Sequence, residues 1–414
     1  MALALERAVA AALAVTVFAF ACGSSIVNGV LLVGRPGRWI CLGILVGLAL
    51  TYAVASRPRK APPPFVYICL AFLGLAVAST AWSVEPLLTF KRAGAFGLLA
   101  AAGTGLLYGS RARPETVRRL ILGLLTGMTA VAVAGVVLLV VARSDAIQPA
   151  TFEYAARYQG FGQNPNTVAL LLALGTPLAL FFTLEARSQL ARGCAICVTA
   201  LFVGSITASG SRGAMLGALA GALLLVLTRA GSWRQRLRLA VVASAVFAAA
   251  LGVSRIPEPK PPPTPATARA VAPTRRTLFT SSGRTAAWRG AIRQAAKRPL
   301  LGYGFGTEER VFVNRYRGFV SDVPENSYIG ATLQLGIAGV GLFLLVAAVA
   351  LLEFVNVVGR LGRRTCAPAA ACAGVVVAGL TAAVTQSYLF SVGNIATASV
   401  WLAMFLLASA AAAD

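Results

Sequence analysis

Histidine is absent from this chain of 414 residues, and carboxylates are scarce, with 13 Asp and Glu against 37 Lys and Arg. Without histidine, nucleophilic serine catalysis lacks its usual base. No His/Cys/Asp cluster has metal-ligand spacing, no Asp-x-Asp lies on the segments assigned below to the outer side, and no Gly-x-x-x-x-Gly-Lys loop occurs. A metal-dependent transferase using cytoplasmic nucleotide sugars is therefore disfavoured, and no metal and no cofactor is expected. Charged residues make up only 12% and hydrophobic residues 58%, which excludes a soluble globule and a receptor with a large ectodomain. The seven cysteines imply no disulfide framework, because they lie in apolar runs or at their cytoplasmic ends. Cys194-x-x-Cys197 opens an apolar helix and reads as small packing residues.

What remains is a succession of apolar runs. A bilayer span needs roughly 20 apolar residues, and such runs occupy 8–33, 38–55, 65–82, 94–110, 117–142, 166–185, 193–208, 212–229, 237–254, 328–355, 368–390 and 393–412. The chain is read as an all-α polytopic membrane protein of about twelve transmembrane helices, with Gly and Ala residues such as Gly213-x-x-x-Gly217 and Gly217-x-x-x-Gly221 letting backbones approach. The first run is read as a retained span rather than a signal peptide, since only Arg7 precedes it and no clear cleavage site follows.

Positive charge sets the orientation. One set of loops holds 17 cations, from Arg7 through Arg57, Arg59 and Lys60, Arg111 to Arg119, Arg187 and Arg192, Arg229 to Arg238, and Arg360 to Arg364; the short loops of the other hold Arg35, Arg38, Lys91, Arg92, Arg143, Arg157 and Arg212. The first set is expected to be cytoplasmic, with both termini. The long loop Arg255–Tyr328 is then extracytoplasmic, and its 13 cations do not spoil the rule because long loops translocate regardless of charge.

Three regions follow: spans 1–9 over 1–254, an outer loop over 255–327, and spans 10–12 over 328–414. Residues 257–265, Pro-Glu-Pro-Lys-Pro-Pro-Pro-Thr-Pro, form an extended spacer. In Thr285–Arg298, Trp288, Ala291, Ile292 and Ala295 share one helical face, and Arg289, Arg293 and Lys297 another, as in a helix lying at the membrane surface. Pro299 ends it, and Gly302-Tyr303-Gly304-Phe305-Gly306 reads as a flexible turn.

Several polar residues have two readings. Arg212, in Ser209-Gly210-Ser211-Arg212-Gly213 at the outer boundary, either snorkels to lipid phosphates or binds an anion carried by lipid. Arg284 starts the amphipathic helix, where a cation opposes the dipole but helps backbone N–H groups to grip a phosphate. Asn164 and Asn166, beside Arg157, either cap the next span or line a site. Glu325, one of eight outer carboxylates with Glu85, Asp145, Glu153, Glu258, Glu308, Glu309 and Asp322, either caps the following helix or acts chemically. A nucleic-acid partner is improbable; membrane lipids and an anionic lipid-linked ligand are expected.

These blocks resemble a family. Ser211-Arg212-Gly213, Ser282-Gly283-Arg284 with Trp288, Gly302-Tyr303-Gly304-Phe305-Gly306, and Glu325-Asn326-Ser327-Tyr328 with Leu335-Gly336-Ile337-Ala338-Gly339 are similar to the signature blocks of the O-antigen ligase and polymerase superfamily. Gly160-Phe161-Gly162-Gln163-Asn164-Pro165-Asn166 and Trp82-Ser83 with Arg92 resemble its earlier motifs. The resemblance spans roughly residues 80 to 345. It implies a GT-C-like architecture in a bacterial inner membrane and metal-independent transfer of glycan from a polyprenyl-diphosphate-linked oligosaccharide to a glycan, lipid or protein acceptor on the outer side. Carried over, Arg212 and Arg284 grip the diphosphate, while Glu325 stands where the family has the histidine of a His-Asn-Ser-Tyr-like block and becomes the base. Arg92, Arg157, Asn164, Asn166, Trp288, Asn326 and Tyr328 become substrate contacts. Nearby arginines are expected to depress the pKa of Glu325. A transporter or flippase of the same lipid-linked glycans, or a non-catalytic relative, is the alternative.

Overall fold

The computed structural model describes residues 2–56, 61–111, 113–149, 156–229, 232–235, 237–238, 241, 284–312, 321–361 and 367–411. The expected span 237–254 lies largely outside these residues, and the Pro-rich spacer 257–265 and Ser281-Ser282-Gly283 lie wholly outside them, as do Arg57, Arg59, Lys60, Arg363 and Arg364. The described chain is a helical bundle: α1 (Ala2–Cys22), α2 (Asn28–Ser56), α3 (Pro64–Ala78), α4 (Pro86–Ser110), α5 (Pro114–Val141), α6 (Pro165–Glu185), α7 (Gln189–Ser209), α8 (Arg212–Arg229), α9 (Arg284–Ala295), α10 (Ser327–Leu361), α11 (Ala367–Ala382) and α12 (Ile395–Ala411). Among the described residues nine helices are long and apolar enough to cross a membrane, and two shorter apolar helices, Ala367–Ala382 and Ile395–Ala410, follow.

Of the shorter pair, α12 agrees with the expected 393–412 to within two residues, whereas α11 falls short of the expected 368–390 at its end. Almost every described side chain of α12 is buried, including Trp401, Met404 and Phe405, as befits a helix apolar on all sides and enclosed by protein. Helix α11 stops at Ala382 because the next residues give their carbonyls to other elements. Ser327 N–H donates to Ala383 O at 2.9 Å and the Asn326 amide to Val384 O at 2.9 Å. The small-residue expectation for α8 is met against α11: a Cβ on Gly217 or Gly221 would overlap the carbonyls of Ala378 or Gly374.

Several cations placed in outer loops from sequence lie inside helices instead. Arg35 and Arg38 flank Pro36 within α2, where Arg38 Nη1 donates to Gly393 O at 2.9 Å, and Lys91 and Arg92 belong to α4. Cys194 and Cys197 are free and exposed on α7 rather than packed. The reading of the fold as all-α also overlooked a short antiparallel ribbon, β1 (Ile147–Gln148) paired with β2 (Arg157–Tyr158).

Charge pairs mark one end of the bundle. Arg119 Nη1, near the start of α5, lies 2.8 Å from Glu6 Oε1 in α1, and Arg229 at the end of α8 pairs with Glu185 at the end of α6. Arg212 sits at the opposite end of α8. Eighteen residues at 1.5 Å each separate the two ends of that helix by roughly 27 Å.

Candidate functional site

The site is organised by a break in α10. Gly336 has φ 62° and ψ −161°, which interrupts the helical hydrogen bonds and would expose backbone groups at membrane depth. The segment 299–306 satisfies them. Tyr303 N–H donates to Leu333 O at 2.9 Å and Gly304 N–H to Gln334 O at 2.8 Å, while Ile337 N–H donates to Pro299 O at 2.8 Å. Gly302 and Gly336 lie so close to the opposing chain segment that a Cβ on either would overlap backbone. The glycine-rich segment is therefore not the flexible turn expected. Phe305 is fully buried, its ring 5.7 Å from Phe96 and 6.3 Å from Phe72, and its N–H donates to Ser79 Oγ at 3.0 Å. Trp82 Nε1 donates to Leu301 O at 3.0 Å, so the earlier Trp82-Ser83 block serves to hold the later one.

Helix α9 docks on α10 through Ala287, Ala291 and Ala295, which bury against Leu333, Val311 and Phe312. The i, i+4, i+8 spacing of these alanines sets the face; Ile292, expected to share it, is 55% exposed, so it is the small side of the helix that packs on protein. Trp288 Nε1 donates to Pro324 O at 2.8 Å, fixing the residue before Glu325.

Glu325 does not cap α10. That task falls to Asn326, whose Oδ1 accepts from the N–H groups of Tyr328 at 3.0 Å and Ile329 at 3.1 Å. Glu325 instead occupies a left-handed conformation, φ 53°, the single such non-glycine residue among those described. That conformation costs about 1–3 kcal/mol and persists where surrounding contacts enforce it; here Trp288 holds one flank and Asn326 the other. The residue is half-buried, and its carboxyl group accepts from Ser321 Oγ at 3.3 Å. Burial pushes its pKa up, and the Arg284 guanidinium and the Ser321 hydroxyl draw it partway back. The expected depression is thus reversed, because loss of hydration outweighs the arginine.

The second arginine starts a helix whose next residue, Gly213, packs on the segment 383–388. Gly210 takes a left-handed conformation, φ 62°, that closes α7, so α8 starts two residues later with Arg212. Gly213 leaves no room for a Cβ beside Thr385, and the same segment binds the residue after Glu325, with Asn326 N–H donating to Ser387 Oγ at 3.0 Å. Arg157 braces this corner: Nε donates to Ser209 O at 2.7 Å and Nη2 to Asn166 Oδ1 at 2.9 Å. Asn164 Oδ1 accepts from Asn166 N–H at 2.8 Å and caps α6. The structure thus brings Arg284, Trp288, Glu325, Asn326 and Tyr328 into one neighbourhood and joins Arg157, Asn166 and Arg212 to it through residues 383–388. Arg92 sits apart, paired with Glu309 and the Gly306 carbonyl. Tyr328 OH donates to Leu380 O at 2.8 Å.

Glu308 escaped the sequence reading beyond its place among the outer carboxylates. Its Oε1 accepts from Ser387 Oγ at 2.7 Å and its Oε2 from Gln334 Nε2 at 3.0 Å. Burial pushes its pKa up to about 7, with the two hydrogen bonds opposing and the charges of Glu325 and Glu309 adding to the rise. Its partner lies 79 positions away, so the only local signal was an acidic pair directly after the glycine-rich block.

No curated protein matches the chain. Residues 195–344, roughly a third of its length, match the family model described as O-antigen ligase, a region running from α7 through the break in α10 and containing Arg212, Arg284, Glu308 and Glu325. Over residues 195–344 this polytopic chain is thus similar to the O-antigen ligase family, which supports the resemblance seen in its motifs.

Proposed function

We propose that the protein is an inverting, metal-independent glycosyltransferase of the O-antigen ligase or polymerase type, working on the extracytoplasmic face of a bacterial inner membrane with both termini in the cytoplasm. Its donor is a glycan on polyprenyl diphosphate and its acceptor a hydroxyl of a glycan, lipid or protein. The acceptor oxygen attacks the anomeric carbon and its proton passes to Glu325. The bond from that carbon to the phosphate oxygen breaks, and the electron pair leaves with the lipid diphosphate. A diphosphate departs without a general acid if its charge is held, the role given to Arg212 and Arg284 as bidentate donors in a poorly hydrated site. The acceptor does need a base, and a carboxylate with a raised pKa is a better one than an ordinary carboxylate.

The observation that carries this reading is Glu325 itself: relieved of capping by Asn326, held in a strained backbone, and facing Arg284. Asn164 and Asn166 support from behind as cap and as brace for Arg157. A flippase would bind the same ligand but has no need of a strained carboxylate beside the arginines.

Arg212→Lys tests the diphosphate role, since lysine keeps the charge and loses the fork. Transfer by the reconstituted protein should fall about 10²-fold or more, as when one preorganised donor to a developing anion is lost, with weaker binding of the lipid diphosphate. Full turnover with unchanged affinity contradicts the assignment.

A further inference from the structure

We propose that Glu308 is a positioning residue for Glu325: through Ser387 it fixes the backbone beside that carboxylate, and as the second carboxyl group facing it, it governs the charge with which Glu325 meets the acceptor. The inference rests on the reading of Glu325 as the base.

The connection is continuous. Ser387 Oγ donates to Glu308 Oε1 and accepts from Asn326 N–H, the peptide next to Glu325. The other oxygen, Oε2, is held by Gln334, whose own Oε1 accepts from Gly306 N–H at 2.8 Å. The carboxyl group lies so close to Gly330 that any Cβ there would overlap it. One acidic side chain therefore ties the glycine-rich segment, the first turns of α10 and the segment after α11 to the base.

The charges around it leave Glu325 as its chief electrostatic partner. Glu309, its neighbour on the same helical turn, is paired with Arg92 of α4, and Arg310 lies 3.3 Å from Glu85. Gln334 from α10 and Ser387 are neutral. Arg284 of α9 faces Glu325. Two carboxyl groups that sense each other release their protons in two steps belonging to the pair, and the charge of Glu325 is among the causes that raise the pKa of Glu308.

Glu308→Gln keeps the volume and removes the titrating group. The acid limb of the pH–rate profile should lose one of its two protonation steps. A uniform loss of rate with the two-step profile intact would make Glu308 a structural residue and overturn the inference. Infrared titration of the reconstituted protein reads the pair without any turnover: a carboxylic-acid band should vanish in a step near pH 7, be absent from Glu308→Gln, and move to lower pH in Glu325→Gln, where the like charge is gone. A band indifferent to Glu325→Gln overturns the inference even where Glu325 is essential for transfer. Wild-type turnover in Glu325→Gln overturns the reading of the base, and the inference with it.

Discussion

Replacing Glu325 with Gln is expected to lower glycan transfer by about 10²–10⁴-fold, the usual contribution of a general base, while binding of the lipid diphosphate is retained. The amide keeps the shape of the side chain and the hydrogen bond from Ser321, and it removes the proton acceptor. Binding survives because Arg212 and Arg284, which grip the diphosphate in this account, are untouched. The wild-type pH profile follows from the sign of the shift. The working form is the carboxylate, so activity rises with pH as the group loses its proton; because burial raises the pKa, the rise is displaced toward neutrality from the ordinary carboxylate range. Glu325→His restores the residue that the superfamily resemblance puts at this position and should recover much of the rate, with the limb now set by an imidazole whose reference pKa is about 6.5. Glu325→Gln at wild-type speed over the whole pH range would remove the residue from the chemistry. Its strained backbone would then be without explanation.

The second large effect concerns the scaffold. Gly336→Ala places a Cβ where the Leu300 carbonyl lies and forces alanine to φ 62°. That region of φ and ψ is essentially reserved for glycine and costs roughly 1–3 kcal/mol for a residue with a Cβ, and the overlap is with backbone, which cannot rotate away. The segment 299–306 must then leave the break in α10, stranding the N–H groups of Tyr303, Gly304 and Ile337 and withdrawing Phe305 from the aromatic core around Phe72 and Phe96. Each buried donor left unpaired costs about 1–3 kcal/mol, so the purified variant should melt well below wild type and be cut by protease within 299–312. Gly341→Ala, one helical turn and a residue further along α10 in open space, provides the control and should melt with wild type or slightly above it. Equal melting of Gly336→Ala and wild type would contradict the described break.

The two predictions bear on different parts of what the sequence disclosed. Apolar runs located the nine described helices long enough to cross a membrane and the two shorter ones to within a few residues at most ends, because a bilayer imposes length and composition directly, although the run 8–33 carried on past Cys22, where α1 stops. Patterning failed where protein replaced lipid as the neighbour. Trp288, Ala291, Ile292 and Ala295 read as one face of α9, yet Ile292 is exposed and Ala287 is buried with Ala291 and Ala295, since close approach of α9 to α10 rewards small side chains over large ones. The run through 390 reads as helix, but the carbonyls of Ala383 and Val384 accept from Ser327 and Asn326 instead. Arginines and the glutamate before α10 were visible as polar interruptions, and their order along the chain carried the family resemblance. The direction of the Glu325 shift was not, because it depends on how far water is excluded, and Glu308 was not, because Ser387 reaches it only in the folded chain.

The central claim is that this protein breaks the bond between a glycan and its lipid diphosphate and passes the glycan to a hydroxyl. Purified protein in vesicles, supplied with polyprenyl-diphosphate-linked oligosaccharide, an acceptor and excess chelator, tests it directly. The account predicts transferred glycan and free polyprenyl diphosphate in equal amounts, with inverted anomeric configuration in the product. Oligosaccharide that crosses the bilayer still joined to its lipid, with no diphosphate released, would contradict it.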